Sequence, residues 1–255
     1  MSLKSMFSAK DMTLGSPWKR IMEFTIPMLL GNVAQQLYNT ADSVIVGHYV
    51  GDNALAAVGS ASPILNLLLA LFVGISTGAG IIISQRFGAG DQKGVKVAVG
   101  NSLSLTAIIC VFIAAVSVVL AEPVLHLLKT PDDVFHDAAA YLYILFGALP
   151  VLGAYNVQAG ILRAVGDAKT PLYAMLLASC VNIGLDALFV IGFRWGVAGA
   201  AAATVIAQGV SAVYCFMVLR SMPQILPEKE DVRLRKETAG QLVRLGTPTA
   251  LQNAV

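Results

Sequence analysis

Apolar residues dominate the chain in six long runs, and short polar segments separate one run from the next. Each run has about the 20 residues that a helix needs to cross about 30 Å of hydrocarbon. The pattern therefore predicts six membrane-spanning helices and the beginning of a seventh. The six predicted spans, numbered in chain order, cover residues 21–47, 54–85, 97–121, 138–162, 171–193 and 195–219.

Positive charge alternates between the loops. Fourteen of the 17 Lys and Arg residues lie in the N-terminal tail and in the loops after the second, fourth and sixth spans. Because cytoplasmic loops carry an excess of Lys and Arg, this bias predicts a cytoplasmic N-terminus. The predicted organisation is a cytoplasmic tail (1–20), a six-helix lobe (21–219), a cytoplasmic linker between lobes (220–240) and the truncated start of helix seven (241–255).

A short pattern near the first span recurs near the end of the chain. Pro27 is followed five residues later by Asn32, and Pro248 is followed five residues later by Asn253, each after an apolar turn. Six intervening spans are an even number, so the second copy begins on the same side of the membrane as the first. This indicates a parallel repeat, which some transporters use, and a parent protein with about 12 spans.

Composition supports a membrane protein. Only 13% of the residues are charged, about half the usual share in soluble domains, and 56% are hydrophobic. The net charge of +2 gives no basic field for nucleic acid. No phosphate-binding GxxxxGK[ST] motif occurs, so the energy source is expected to be an ion gradient or a separate partner.

Two ionisable residues lie deep within the predicted spans, Asp42 in span one and Asp186 in span five. Such residues are costly in a membrane and mark functional sites by default. Helix geometry places polar neighbours on their faces and at similar depth in the outer half. These neighbours are Gln35, Tyr38, Asn182 and, on span six, Thr204.

This set of side chains has two chemical interpretations. Carboxylate, amide and hydroxyl oxygens are ligands for hard cations. Alternatively, two close carboxylates in a low dielectric cannot both stay ionised, so one of them carries a proton near neutral pH. Both describe ion coupling in a transporter, and a hydrogen-bonded structural pair is the alternative.

The segment from Gly74 to Gly78 matches the G-x-S-x-G pattern of serine hydrolases. That motif requires a strand before the serine and a histidine partner. Here it lies in an apolar helix, so the two glycines are interpreted as a helix-packing pair. We therefore expect no enzyme activity.

Several stretches resemble the amino-terminal half of the multidrug and toxic compound extrusion (MATE) family. They are residues 27–47 (PMLLGNVAQQLYNTADSVIVG), the run ALAAVGSASPI that opens span two, the run GILRAVGDAKTP (160–171) and NIGLD (182–186). They fall in spans one to five, and the resemblance extends almost end to end over the six predicted spans.

The resemblance implies an all-α membrane protein in which two six-helix lobes enclose a cavity. This chain would supply the N-lobe and the start of helix seven. It implies export of amphipathic, often cationic, compounds across the cytoplasmic membrane, driven by Na⁺ or H⁺ influx. The implied coupling residues are Asp42, Asn182, Asp186 and Thr204, the first three holding Na⁺ if sodium is the ion; Asn32, Gln35 and Tyr38 would support them, and Pro27 would permit helix one to bend.

The implied partners are the lipid bilayer, a small organic cation or drug, and the C-terminal lobe; no cofactor is expected beyond the coupling ion. Two other functions are open at this level. One is a flippase for lipid-linked oligosaccharides, which would need a ring of basic residues around a pyrophosphate. The other is a membrane-embedded enzyme, which would need catalytic acids or a histidine facing the substrate.

Overall fold

The computed structural model describes residues 17–254, which form eight α-helices and one π-helical segment, with no strand among them. In chain order the helices are α1 (Pro17–Tyr49), α2 (Asp52–Gly88), α3 (Gln92–Leu127), α4 (Asp132–Gly147), α5 (Leu149–Ala164), α6 (Lys169–Asp186), α7 (Gly196–Arg220) and α8 (Lys236–Ala254). The π-helical segment (Ala187–Gly192) continues α6 directly. The all-α fold class is confirmed; residues 1–16 of the predicted tail lie outside the described residues.

Four of these helices are long and apolar enough to cross a membrane: α2, α3, α6 with its π-helical continuation, and α7. The bent pair α4 and α5 makes a fifth span if it counts as one. The remaining predicted span corresponds to α1, which has 33 residues but does not pass the same test. Its length is sufficient, and its many amide and hydroxyl side chains lower its hydropathy.

Helix α3 shows most clearly that the lobe faces an apolar solvent. Its most apolar window has a mean hydropathy of 2.8, yet only 11% of that window is buried within the lobe. Phe112 is 68% exposed and Val119 is 74% exposed. A water-soluble domain rarely exposes such a continuous apolar face. We conclude that α3 lies on the lipid-facing side of the lobe.

The predicted fourth span is two helices that meet at Ala148 with a bend of 51°. Pro150 lies in the first turn of α5, where its missing N–H costs no helical hydrogen bond. The span predicted over residues 138–162 is therefore a broken helix, with Pro150 accommodated at the start of its second part. The bend directs α5 across the lobe toward α2, α3 and α7.

Helices α2 and α8 cross with their backbones in contact. A Cβ atom added at Gly74 would come within 2.7 Å of the carbonyl oxygen of Gly246, and one at Gly78 within 2.5 Å of that of Leu242. Only glycine fits where two helix backbones approach this closely. The interpretation of Gly74 and Gly78 as a helix-packing pair is confirmed, and their partner is α8.

The segment between α7 and α8 is held against α3. Fully buried Asn101 donates to the backbone oxygens of Asp231 (3.1 Å) and Arg233 (3.3 Å), and accepts from the backbone N–H of Arg235 (2.7 Å). The mixed charge of residues 228–237 predicts a solvated linker there. The structure instead shows a docked segment, and α8 begins at Lys236, because a single amide on α3 satisfies three backbone groups at once.

We expect Asn101→Ala to loosen this segment in the full-length protein. Buried backbone groups left without partners cost about 1–3 kcal/mol each. Limited proteolysis between residues 221 and 235 should therefore accelerate several-fold, with a lower thermal unfolding midpoint. Ser104→Ala is the matched control, because it removes one exposed hydrogen bond, of 2.8 Å, to Val232 in the same segment. Equal proteolysis of both variants would contradict the anchoring role of Asn101.

Candidate ion and substrate site

A cavity of about 660 Å³ opens along one side of the lobe, between α1, α2 and the helices from α4 to α7. Six of the eight residues singled out by the sequence line it. They are Pro27, Asn32, Gln35, Tyr38, Asp42 and Thr204. The other two, Asn182 and Asp186, are fully buried on α6.

The two aspartates form a pair. Asp42 is half-buried and lies in the cavity wall, whereas Asp186 is fully buried. Their carboxyl groups lie close enough to interact electrostatically. Helices α1 and α6, which carry them, pack directly together. Asp42 therefore separates the cavity from Asp186, and a cation in the cavity meets Asp42 first.

Several buried polar atoms around this pair have no hydrogen-bond partner among the described residues. They are Oδ1 of Asp42, both carboxylate oxygens of Asp186, and Oδ1 and Nδ2 of Asn182. Buried polar groups are normally paired, and each orphan in a folded protein requires an explanation. Four of the five atoms are oxygens, the ligand type that hard cations and protons prefer. The donor set thus fits Na⁺ or H⁺.

Metals that need several ionisable ligands fit less well. Within residues 17–254, no three His, Cys, Asp or Glu side chains lie close enough together to hold a metal ion. The pair and its neighbouring amide supply two carboxylates and one carbonyl oxygen. Transition metals prefer imidazole and thiolate ligands, which this set lacks.

Tyr38 connects the cavity wall to a third helix. Its hydroxyl donates to Oγ1 of Thr204 on α7 at 3.4 Å, and its ring is buried. Tyr38 lies one helical turn before Asp42 on α1, as the sequence predicts. This contact joins α1 to α7 one helical turn from Asp42.

The backbone changes from α-helical to π-helical directly after Asp186. Such wide turns are rare and occur often at functional sites. The hydrogen bond from the N–H of Phe193 to the oxygen of Leu188 closes the wide turn at 2.9 Å. The sequence gives no sign of it, because the residues involved are ordinary apolar ones.

Sequence reasoning missed several residues of the cavity. Tyr141 on α4 is buried, lines the cavity, and lies close enough to both aspartates to interact electrostatically. The predicted fourth span ends at residue 162, which places Arg163 in a loop, yet it lies in the last turn of α5 and lines the same cavity. The polar residues Asn66, Asn156 and Gln208 also line it. Each of these three residues is an amide within an otherwise apolar predicted span, and that feature of the sequence could have identified it.

Comparison with known proteins decides the family. Residues 27–188 match the MatE family model, a region that contains Asp42, Asn182 and Asp186. The chain belongs to the MATE family of transporters. It is 33% identical over 244 residues to the probable multidrug resistance protein YoeA of Bacillus subtilis. The aligned region covers 92% of this chain and 53% of YoeA.

Solved structures agree with this membership in the MATE family. A MOP superfamily transporter from Pyrococcus furiosus is 30% identical, with a TM-score of 0.88 over 94% of this chain and 53% of that chain. A MATE protein solved in a bent conformation is 29% identical, with a TM-score of 0.87. The match covers 98% of this chain and 55% of that one. This MATE chain thus spans about half the length of its relatives and corresponds to one lobe.

Proposed function

We propose that the full-length protein exports amphipathic organic cations and drugs in exchange for Na⁺ or H⁺. Asp42, Asp186 and Asn182 bind the coupling ion, and the adjoining cavity binds the cargo. The observation that supports this most strongly is the buried aspartate pair whose oxygens lack partners. In the proposal the protein resides in the cytoplasmic membrane with its N-terminus in the cytoplasm.

The proposed roles follow from position. Asp42, in the cavity wall, receives the ion, and Asp186 with Asn182 holds it out of contact with the cavity. Asn32 and Gln35, on the cavity face of α1, contact the cargo. The hydrogen bond between Tyr38 and Thr204 couples a shift of α1 to α7.

Ion binding drives export only if the two states of the transporter differ in affinity for the ion. Pro27 lies inside α1 at the end of the cavity away from Asp42, and proline in a helix removes one hydrogen bond. A bend there moves the outer half of α1 relative to α6. Solved structures of a similar MATE protein are described as bent and as straight, so conformational change of this kind is compatible with the proposal.

The other candidate functions lack comparable support. A lipid-linked pyrophosphate requires several basic residues around its phosphates, and among the described cavity residues only Arg163 is basic. Two of the relatives, YoeA and YpnP of Bacillus subtilis, are named as probable multidrug resistance proteins. For the Pyrococcus furiosus relative, reverse polarity of the binding pocket has been taken to suggest a different function. Cavity charge is therefore the feature that sets the cargo in this proposal.

Efflux from vesicles tests the proposal. The full-length protein is reconstituted in liposomes, and efflux of a fluorescent cationic dye is followed under a sodium gradient and then under a proton gradient. We expect one of the two gradients to drive efflux. Sodium alone would make the oxygen cluster a metal-ion site, and protons alone would make it a shared protonation site. Efflux under neither gradient would contradict the proposal.

A further inference from the structure

Arg163 is a cation at the opposite end of the cavity from the aspartate pair. It lies in the last turn of α5, and α6 begins six residues after it. Leu172, near the start of α6, lines the cavity at this end. Fourteen residues of α6 separate Leu172 from Asp186, a rise of about 21 Å. The cavity thus has a basic end and an acidic end.

The guanidinium of Arg163 has no hydrogen bond or ion pair within the described chain, although the side chain is only partly exposed. The nearest acid along the chain is Asp167, and it is otherwise engaged. Its carboxylate accepts from the backbone N–H groups of Lys169 (3.1 Å) and Thr170 (3.0 Å), and from the hydroxyl of Thr170. Asp167 therefore caps α6 and leaves Arg163 without a counter-ion.

A partly buried cation without a partner is costly, and an anion that enters the cavity removes that cost. Arginine offers planar, bidentate donors that match a carboxylate or a phosphate. Tyr155, which lies close enough to Arg163 to interact with it electrostatically, also lines the cavity and carries a hydroxyl donor. These groups suit an oxyanion attached to an otherwise apolar or cationic molecule.

We propose that Arg163 binds the carboxylate of a zwitterionic amphipathic cargo at the inner end of this cavity. The proposal rests on the proposed export function and deepens it by naming the residue that recognises an anionic group of the cargo. A phospholipid headgroup could offer a similar oxyanion, so the experiment separates the two sources.

The test uses a matched pair of dyes, rhodamine B, which carries a carboxylate, and rhodamine B ethyl ester, which does not. Binding of each to the purified full-length protein in detergent is measured by fluorescence anisotropy. We expect Arg163→Gln to weaken binding of rhodamine B about tenfold, the usual value of a charge-assisted contact, and to leave the ester within about twofold. Arg163→Lys should show an intermediate loss for rhodamine B alone.

Arg220→Gln is the matched control, because Arg220 is exposed at the end of α7 and lies outside the cavity wall. It should change neither affinity. Equal weakening of both dyes by Arg163→Gln would show a structural role and overturn the proposal, as would no change in either. Displacement of rhodamine B, but not of its ester, by phosphatidylglycerol would assign Arg163 to a lipid and also overturn it.

The wild-type protein gives a second test if Arg163→Gln fails to fold. The wild type should bind rhodamine B at least as tightly as the ester, and exclusion of rhodamine B with binding of the ester would refute the proposal. Failure of export is distinguishable, because binding in detergent needs no ion gradient. If neither gradient drives efflux but rhodamine B binds through Arg163, the export proposal is refuted and the assignment of Arg163 as a carboxylate-binding residue is retained.

Discussion

Asp186→Asn in the full-length protein abolishes ion-driven dye efflux in our account, and Asp42→Asn does the same. The amide fills nearly the same volume, so the packing of α1 against α6 is kept. It carries no negative charge, however, and can neither neutralise Na⁺ nor take up and release a proton near neutral pH. Efflux from reconstituted vesicles should fall to the rate of protein-free vesicles in both variants.

Asp52→Asn is the matched control for these variants. Asp52 is exposed in the first turn of α2, away from the aspartate pair, and the same change there should leave efflux within about twofold, as expected for surface sites. Purified yield and thermal midpoint of all three variants establish that they fold. Normal efflux by Asp42→Asn or Asp186→Asn would remove that residue from the coupling site.

The second large effect is expected at the crossing of α2 and α8. Gly78→Leu places a branched side chain where even a Cβ would lie 2.5 Å from the oxygen of Leu242 and 2.9 Å from the nitrogen of Gly246. Both are backbone atoms, so neither can rotate away. We expect a loss of about 3 kcal/mol, the upper part of the range for overpacking, and a thermal midpoint several degrees lower.

Gly59→Ala on the same helix tests whether the effect is local. A Cβ at Gly59 meets no atom within 4 Å, and alanine favours a helix over glycine by about 0.5–1 kcal/mol. The thermal unfolding midpoint of the Gly59→Ala protein should therefore equal or exceed that of the wild type. A Gly78→Leu protein as stable as Gly59→Ala would mean that α2 and α8 do not cross at these glycines in the full-length protein.

Much of the fold is predictable from local sequence signals. Apolar runs of membrane length predict the helices, whereas the break between α4 and α5 at Ala148 divides what the sequence predicts as one span. Helix α1 shows the limit of that approach, because its polar residues give it a hydropathy below that of a typical span. The same residues serve the cavity, so the feature that weakens the span signal also marks the functional helix.

The site is predictable where a charge or amide interrupts an apolar run. Asp42, Asn182 and Asp186 are visible for this reason. Tyr141 is not, because a tyrosine in an apolar helix is common, and its place beside the aspartates depends on how α4 packs. The sequence places Arg163 in a loop because the apolar run ends at residue 162, two residues before the end of α5. Docking of the linker on Asn101 depends on long-range contacts that no local pattern encodes.

The most direct test of the account follows ion and cargo together in the same vesicles. Uptake of radioactive sodium and change of internal pH are recorded while dye leaves, for the wild type and for Asp186→Asn. We predict that one of the two ions enters in proportion to the dye that leaves the wild type, and that neither ion nor dye moves with Asp186→Asn. Dye export without movement of either ion, or coupled movement retained in Asp186→Asn, would contradict the claim that this buried aspartate pair binds the coupling ion.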